Sequence, residues 1–241
     1  MASIFGDATA LGPTWLPGRR VVQSCWRVFR LKQIYQKFRD YTMIPEPFYV
    51  DNLVLAGRML EVPGCVVECG VWRGGMSGGI AEVMGPSREY FLFDSFEGLP
   101  CAREIDGPAA RAWQANVKSP GYYDNCTASI EDADNAMRLS GAKHYKVIKG
   151  WFEETLPSFQ LPQEIALLRL DGDWYDSVST CLRYLYPRLS SHGIAIIDDY
   201  YAWDGCARAI HEFLAVSIEP VRIKQFENRV CVLVRGRQEI C

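Results

Sequence analysis

The chain has 241 residues, of which 49% are hydrophobic and 23% are charged, and its formal net charge is −3. This composition is typical of a globular protein with a full core, and the acidic balance argues against a nucleic acid partner. No apolar run approaches the roughly 20 residues of a membrane span, so we expect no membrane insertion. There is no basic start followed by an apolar stretch, and the nine cysteines include no Cys-x-x-Cys pair. We therefore predict a cytoplasmic protein with reduced thiols.

The charge is unevenly distributed along the chain. Residues 1–40 hold seven Lys or Arg and two Asp, a balance of +5. Residues 1–16 lack periodicity and predict a tail, whereas 21–38 have the spacing of a basic amphipathic helix. Such a helix lies on a membrane or packs on its own domain or a partner subunit, and we favour packing. The sequence thus predicts a tail and helices over 1–60, one large domain over 61–241, and a homodimer.

Beyond residue 60, apolar runs alternate with amphipathic segments. We predict helices at about 50–60, 76–84, 129–139, 175–189 and 205–215. The predicted strands begin at Val66 and then cover residues 89–94, 144–149, 165–170, 194–198, 221–226 and 229–234. This order predicts an α/β fold with a mostly parallel, seven-stranded sheet that ends in an antiparallel hairpin. The long insertion at about 100–128 follows the second strand at the ligand end of the sheet, and we interpret it as a substrate lid.

A glycine-rich turn follows the first strand, and three nucleotide-binding patterns compete for it. A dinucleotide site requires G-x-G-x-x-G, but the second glycine is replaced by Trp72. A phosphate-binding loop requires a lysine where this chain has Met76. The third pattern, acid-x-Gly-x-x-x-Gly, is matched by Glu68, Gly70 and Gly74. It suits S-adenosylmethionine, because Glu68 can bind the ammonium group and the amides that start a helix suit a carboxylate.

A second acid supports the third pattern. Residues 89–94, EYFLFD, form an apolar strand that ends in Asp94. An acid at the end of the second strand, some 20 residues after the first glycine, is where the ribose hydroxyls of a nucleotide are bound. The alternative is a solvated turn acid. We favour the cofactor interpretation because two acids close consecutive strands.

Four aspartates follow the fourth and fifth predicted strands. Asp171 and Asp173 end one strand, and Asp198 and Asp199 end the next. Four carboxylates at one edge of a sheet are costly without a counter-charge, and Mg²⁺ is the simplest remedy. The alternative is that some of them cap helices, as Asp173 could cap the helix that begins near Tyr175.

This arrangement predicts methyl transfer to a hydroxyl group. The sulfonium methyl is already electrophilic, so the protein mainly supplies alignment and an activated oxygen. Bound Mg²⁺ lowers the pKa of a coordinated hydroxyl, and we assign Asp173 as the base that takes its proton. The three histidines are interpreted as structural or solvated, and a histidine base is the less favoured alternative.

The motifs ECGVWRGG, FDSFEGLP, KGWFEETLP, LRLDGDWYDS, YPRLS and IIDDY resemble, in this order, those of the macrocin O-methyltransferase family, the TylF-like enzymes of antibiotic biosynthesis. The resemblance runs from about residue 41 to 234. It implies a class I, Rossmann-like S-adenosylmethionine fold, Mg²⁺ dependence, and methylation of a sugar hydroxyl on a small glycosylated natural product of macrolide or aminocoumarin type. The alternatives are a catechol-like phenol acceptor and a non-catalytic S-adenosylmethionine-binding protein.

The resemblance also implies individual roles. The family's metal ligands correspond to Asp171, Asp198 and Asp199, and its proposed base corresponds to Asp173. The predicted cofactor contacts are Thr42, Met43, Glu68, Gly70, Val71, Trp72, Asp94, Ser95, Phe96, Gly98, Gly150, Trp151 and Asp171.

Overall fold

The computed structural model describes residues 19–219 and 221–236. Its helices are α1 Arg19–Phe38, α2 Glu46–Arg58, α3 Gly75–Met84, α4 Gly107–Ala115, α5 Tyr123–Cys126, α6 Ile130–Ser140, α7 Phe152–Thr155, α8 Tyr175–Leu185 and α9 Asp204–Val216. Its strands are β1 Cys65–Cys69, β2 Glu89–Asp94, β3 His144–Lys149, β4 Ile165–Leu170, β5 Leu189–Ile197, β6 Ile223–Phe226 and β7 Val230–Val234. The predicted tail at 1–16 lies outside the described residues.

The seven strands form one sheet in the order β3-β2-β1-β4-β5-β7-β6. Strands β1 to β5 are parallel, whereas β7 is antiparallel to both β5 and β6. The predicted fold class is therefore confirmed. Strands β2 and β3 lie on one side of β1, and β4 and the later strands lie on the other side. In such sheets, ligands bind in the crevice at the carboxyl ends of the two strands where the order changes side, here β1 and β4.

The predicted strands at 89–94, 144–149 and 165–170 match β2, β3 and β4 residue for residue. The boundary between α8 and β5 differs from the prediction, as does the start of α2, which begins at Glu46. Helix α8 ends at Leu185 and passes through a 3-10 turn, Tyr186–Arg188, because Pro187 cannot continue an α-helix. Strand β5 then begins at Leu189, which pairs with Ile165 before a register shift.

The sheet is covered on both faces, and the N-terminal helices contribute to one of the two hydrophobic clusters. Leu31, Ile34 and Phe38 of α1 are buried in the cluster that includes α3. A Cβ atom at Gly78 would lie 2.6 Å from the Phe38 ring, so this glycine permits close packing of α1 on α3. The division of the chain at residue 60 stays a prediction. None of the described helices is long and apolar enough to cross a bilayer.

Candidate active site

The turn after β1 approaches the neighbouring strand end more closely than a side chain would allow. Gly70 has φ +83°, and a Cβ atom there would overlap the carbonyl oxygen of Asp171. Gly74 also has positive φ, and a Cβ atom there would lie 2.8 Å from the Cα atom of Ala133 in α6. Glycine is therefore required at both positions. The turn delivers the chain directly into the first turn of α3.

Asp94, at the end of β2, organises this turn. Its Oδ2 atom accepts hydrogen bonds from the backbone N–H groups of Val71 (2.7 Å) and Trp72 (2.8 Å), and its Oδ1 atom accepts one from Phe96 N–H (2.6 Å). Burial raises the pKa of Asp94, although the three N–H donors oppose that shift. Both oxygens thus hold the backbone, and contact with a ribose stays a prediction.

Glu68, the other acid of the predicted donor site, is buried with 2% of its surface exposed. Arg169 Nη1 donates to Glu68 Oε1 at 2.8 Å, and the Ser77 hydroxyl donates to Oε2. Burial raises the pKa of Glu68 to about 7, while Arg169 and Ser77 act in the opposite direction. Glu68 therefore lines the site with both oxygens already in hydrogen bonds.

Arg169 is a site residue that the sequence-based interpretation missed. It is completely buried on β4, and its guanidinium also binds Asp171 (2.8 Å) and Asp198 (2.5 Å). Arg169 therefore supplies part of the counter-charge that the sequence analysis expected from Mg²⁺ alone. A signal was present, since an arginine inside the apolar run IALLRL of a central strand must be paired when buried.

The structure groups the acids differently from the prediction. Asp171, Asp173 and Asp199 each offer an oxygen within 4.8 Å of the others. The Asp199 carboxylate also accepts from Asp173 N–H at 3.0 Å. Asp198 is directed to Arg169 instead. The predicted metal set of Asp171, Asp198 and Asp199 stays a prediction, and Asp173 joins it as a candidate ligand.

Asp173, Asp198 and Asp199 have raised carboxyl pKa values. Burial and the neighbouring Asp171 raise the pKa of Asp173 to about 8. Burial raises the pKa of Asp198 to about 6 even though Arg169 lowers it, and burial with Asp173 raises that of Asp199. Burial is the largest cause of each shift, and neighbouring carboxylates add to it. A hard divalent cation with oxygen ligands fits this donor set.

Asp173 does not cap α8, so that alternative was wrong. The first helical N–H, of Tyr175, donates to Asp106 Oδ1 at 2.7 Å. Asp173 instead accepts a 2.9 Å hydrogen bond from the Trp203 indole N–H. Its carboxylate therefore has a fixed orientation beside Asp171 and Asp199.

All of these groups face one cavity of about 400 Å³. Every predicted site residue lines it except Phe96, whose side chain is 5% exposed and packs in the core. Of the described residues that line the cavity, none is a histidine. His211 contacts Tyr200 Oη at 3.1 Å, outside the cavity.

Trp113 and Trp203 line one side of the cavity, and the buried Trp174 packs behind them. The ring centroid of Trp113, from the insertion, lies 6.2 Å from those of both Trp174 and Trp203. Trp174 donates its indole N–H to Pro100 O at 2.9 Å. The 100–128 segment thus lies at the ligand end of the sheet and contributes to the cavity; its role as a substrate lid stays a prediction.

Comparison with known proteins settles the family. The model of the macrocin-O-methyltransferase (TylF) family matches residues 32–230. The chain belongs to this family. The resemblance in the sequence motifs is thereby confirmed.

Three named O-methyltransferases are similar to this chain in sequence. A tetracenomycin-rhamnosyl 4'-O-methyltransferase of Streptomyces olivaceus is 36% identical over 158 residues, 63% of this chain and 58% of the relative. The mycinamicin III 3''-O-methyltransferase of Micromonospora griseorubida is 34% identical, with 63% and 61% covered. The demethyldecarbamoylnovobiocin O-methyltransferase of Streptomyces niveus is 33% identical, with 64% and 60% covered. The match thus spans about three fifths of the length of these relatives.

Solved structures agree with the family assignment. The O-methyltransferase NovP superposes with a TM-score of 0.67 at 28% identity, over 82% of this chain and 83% of that one. A calicheamicin methyltransferase has a TM-score of 0.57 at 22% identity, over 98% and 100% of the two chains, which shows a shared fold. The macrocin-O-methyltransferase family member described here therefore has a class I S-adenosylmethionine-dependent methyltransferase fold.

Proposed function

We propose that this protein transfers the methyl group of S-adenosylmethionine to a hydroxyl of a sugar attached to a natural product. The observation that supports it most directly is one cavity in which the glycine turn of the donor site meets the aspartates of a candidate cation site. The relatives named above are O-methyltransferases of a rhamnosyl-tetracenomycin, of mycinamicin III and of demethyldecarbamoylnovobiocin. The substrate is accordingly a small glycosylated molecule.

The donor is expected to bind across the turn between β1 and α3. Gly70 lines the cavity at this turn, and the N-terminus of α3 favours the donor's carboxylate. Trp151, Thr42 and Met43 line the cavity and are expected to enclose the donor. These assignments leave the aspartate side of the cavity for the acceptor.

Asp171, Asp199 and either Asp173 or Asp198 would hold a divalent cation. When bound, Mg²⁺ lowers the pKa of a hydroxyl that it coordinates and orients it. Asp173 is the expected proton acceptor, because Trp203 N–H fixes one of its oxygens beside the cluster. Trp113 and Trp203 give this side of the cavity an apolar surface, which is expected to limit the access of water to the reacting oxygen.

Isothermal titration of Mg²⁺ distinguishes whether Asp173 is a metal ligand or the base. Asp199→Asn is expected to abolish measurable Mg²⁺ binding. Asp173→Asn is expected to retain Mg²⁺ binding and lose turnover if Asp173 is the base. Loss of Mg²⁺ binding in Asp173→Asn would make it a ligand and leave the base unassigned.

The decisive experiment is mass spectrometry of methylated products from a library of glycosylated natural products with S-adenosylmethionine and Mg²⁺ supplied. We expect a single mass gain of one methyl group on a glycoside, and its loss in Asp198→Ala/Asp199→Ala. Full turnover in the presence of EDTA would exclude the metal-assisted mechanism. Methylation of catechols but not glycosides in the same panel would replace the proposed acceptor.

A homodimer is also expected, and light scattering on the purified protein tests it. A mass near twice that of the 27.3 kDa chain is the expected result. A monomer at working concentration would exclude the dimer.

A further inference from the structure

The guanidinium of Arg169 lies between the two halves of the proposed site. Nη1 donates to Glu68 Oε1 and Asp171 Oδ2, both at 2.8 Å, and Nη2 donates to Asp198 Oδ1 at 2.5 Å. On its remaining side, Nε donates to Asn52 Oδ1 of α2 at 3.3 Å. One side chain thereby joins groups from β1, from the ends of β4 and β5, and from an N-terminal helix.

The carboxylates that Arg169 binds lie in the predicted sites of two different ligands. Glu68 lies in the predicted donor site and Asp198 in the predicted metal site, whereas Asp171 was predicted to contact both ligands. We propose that Arg169 is a positioning residue which holds both sites in a single arrangement, so that binding of S-adenosylmethionine and of the divalent cation depends on the same guanidinium. The proposal rests on the proposed function for the identity of the two ligands.

Geometry distinguishes this role from simple charge neutralisation. Any cation of the right size would offset buried carboxylates, but Arg169 occupies one named oxygen on each of them. Asp171 and Asp198 keep 26% and 24% of their side-chain surface exposed and both line the cavity, so Arg169 does not enclose either carboxylate. A planar guanidinium with donors in fixed directions can serve three acceptors at once, which a lysine ammonium cannot do in the same geometry.

Arg169 also has no substitute in the cavity. Among the described residues that line it, Arg169 is the single Lys or Arg. The nearby basic residues Arg73, Arg103 and Lys149 pair with acids outside the cluster, namely Asp132, Asp176 and Glu97.

The test is Arg169→Lys, which preserves the positive charge and removes the three-way geometry. Dissociation constants for S-adenosylmethionine and for Mg²⁺ are measured separately by isothermal titration, without acceptor and without turnover. We expect each to weaken by about tenfold or more, the range found when groups that orient metal ligands are altered.

Arg88→Lys is the matched control. Arg88 also makes several hydrogen bonds, to the carbonyl oxygens of Leu60, Val62 and Gly64, but at the opposite end of the sheet. We expect it to lower thermal stability and to leave both dissociation constants unchanged. Coupling between two sites typically changes a dissociation constant by about fivefold or more. The proposal would be overturned if Arg169→Lys folds and either dissociation constant stays within about twofold of the wild-type value.

Glu68→Gln covers the case in which Arg169→Lys fails to fold. Glu68 is not in the predicted metal set. In Glu68→Gln the guanidinium loses one of its three carboxylates, so it is expected to bind Asp171 and Asp198 more strongly and to compete with Mg²⁺ for them. We expect Mg²⁺ binding to weaken by about fivefold. Unchanged Mg²⁺ binding overturns the link between the two sites.

The titrations also separate this inference from the proposed function. If wild type binds both ligands and Arg169→Lys binds both equally well, only the role of Arg169 fails. If wild type binds neither ligand, the proposed function and this inference fail together.

Discussion

Asp94 illustrates how a single residue determines the shape of the donor site. Three backbone N–H groups converge on its carboxylate, two of them from a turn more than 20 residues earlier in the chain. Trp72 and Phe96 both have positive φ, at 49° and 56°. Hydrogen bonds to a carboxylate offset the cost of that backbone strain. Asp94 therefore acts on the geometry of the turn whether or not it contacts the donor.

Replacing Asp94 tests this structural role. Asp94→Ala is expected to lower the free energy of unfolding by about 1.5–3 kcal/mol, because three partly buried N–H donors lose their acceptor. Urea denaturation followed by circular dichroism measures it. The exposed Asp176, paired with Arg103, provides the control, and Asp176→Ala is expected to cost less than about 1 kcal/mol. Equal losses in the two variants would contradict the assignment.

The raised pKa of Asp173 makes cation binding depend on pH. Its pKa of about 8 means that the carboxyl group is largely protonated below pH 7 in the absence of a cation. Protons therefore compete with Mg²⁺, and affinity is expected to rise by up to about tenfold per pH unit for each displaced proton. Isothermal titration between pH 6 and pH 8.5 measures the slope. Asp173→Asn should flatten it, and an identical slope in that variant would contradict the prediction.

At the scale of elements, the 100–128 insertion is anchored to the domain along its first half. Asp106 is 2% exposed and accepts from the N-terminus of α8, while Trp113 packs against Trp174 and Trp203. Its second half is different, because the four residues of α5 all have positive φ, between 50° and 61°. Non-glycine residues rarely adopt this conformation. Strain is therefore concentrated in the part of the insertion that faces the cavity through Tyr123 and Cys126.

Gly205 at the start of α9 tests the anchored half. A Cβ atom there would overlap the Asp106 carboxylate and lie 3.1 Å from Tyr175 N, so it would displace the insertion from α8. We expect Gly205→Ala to lower the melting temperature by several degrees, for a loss of about 1–3 kcal/mol. Gly121→Ala is the control, since its Cβ atom would meet only Ser119 Oγ at 3.8 Å. Equal melting temperatures for the two variants would show that the contact is unimportant.

At the scale of the whole molecule, burial of the acid cluster links stability to pH. The folded-state pKa values of about 6 for Asp198, 7 for Glu68 and 8 for Asp173 lie above the ordinary values of 3.8 for Asp and 4.5 for Glu. At pH values between the ordinary pKa and the folded-state pKa of each group, the folded state binds more protons than the unfolded state. The free energy of unfolding therefore falls as pH rises through this interval.

Melting temperatures with and without a cation test this linkage. In EDTA, stability is expected to decrease from pH 6 to pH 8, because deprotonation of the buried acids is costlier in the folded state. Mg²⁺ should raise the melting temperature more at pH 8 than at pH 6, because the deprotonated cluster binds it more tightly. A cation-free protein that becomes more stable over this interval would contradict the pKa assignments.

The sequence by itself determined the sheet, the glycine turn and the presence of acids at adjoining strand ends. These features are local, because strand periodicity, turn glycines and an acid after an apolar run can each be recognised from a few consecutive residues. Fifteen of the predicted site residues line one cavity, and of these Thr42, Met43, Gly150 and Trp151 were predicted only from the resemblance to the family motifs.

Only the tertiary structure decided how those residues are paired. Arg169 lies 101 residues from Glu68 and 29 from Asp198, and Asp106 lies 69 residues from the α8 amide that it caps. No local pattern specifies which donor meets which acceptor over such separations. That choice follows from the packing of β1, β4 and β5 side by side, which brings the charged groups together where burial makes unpaired charge costly.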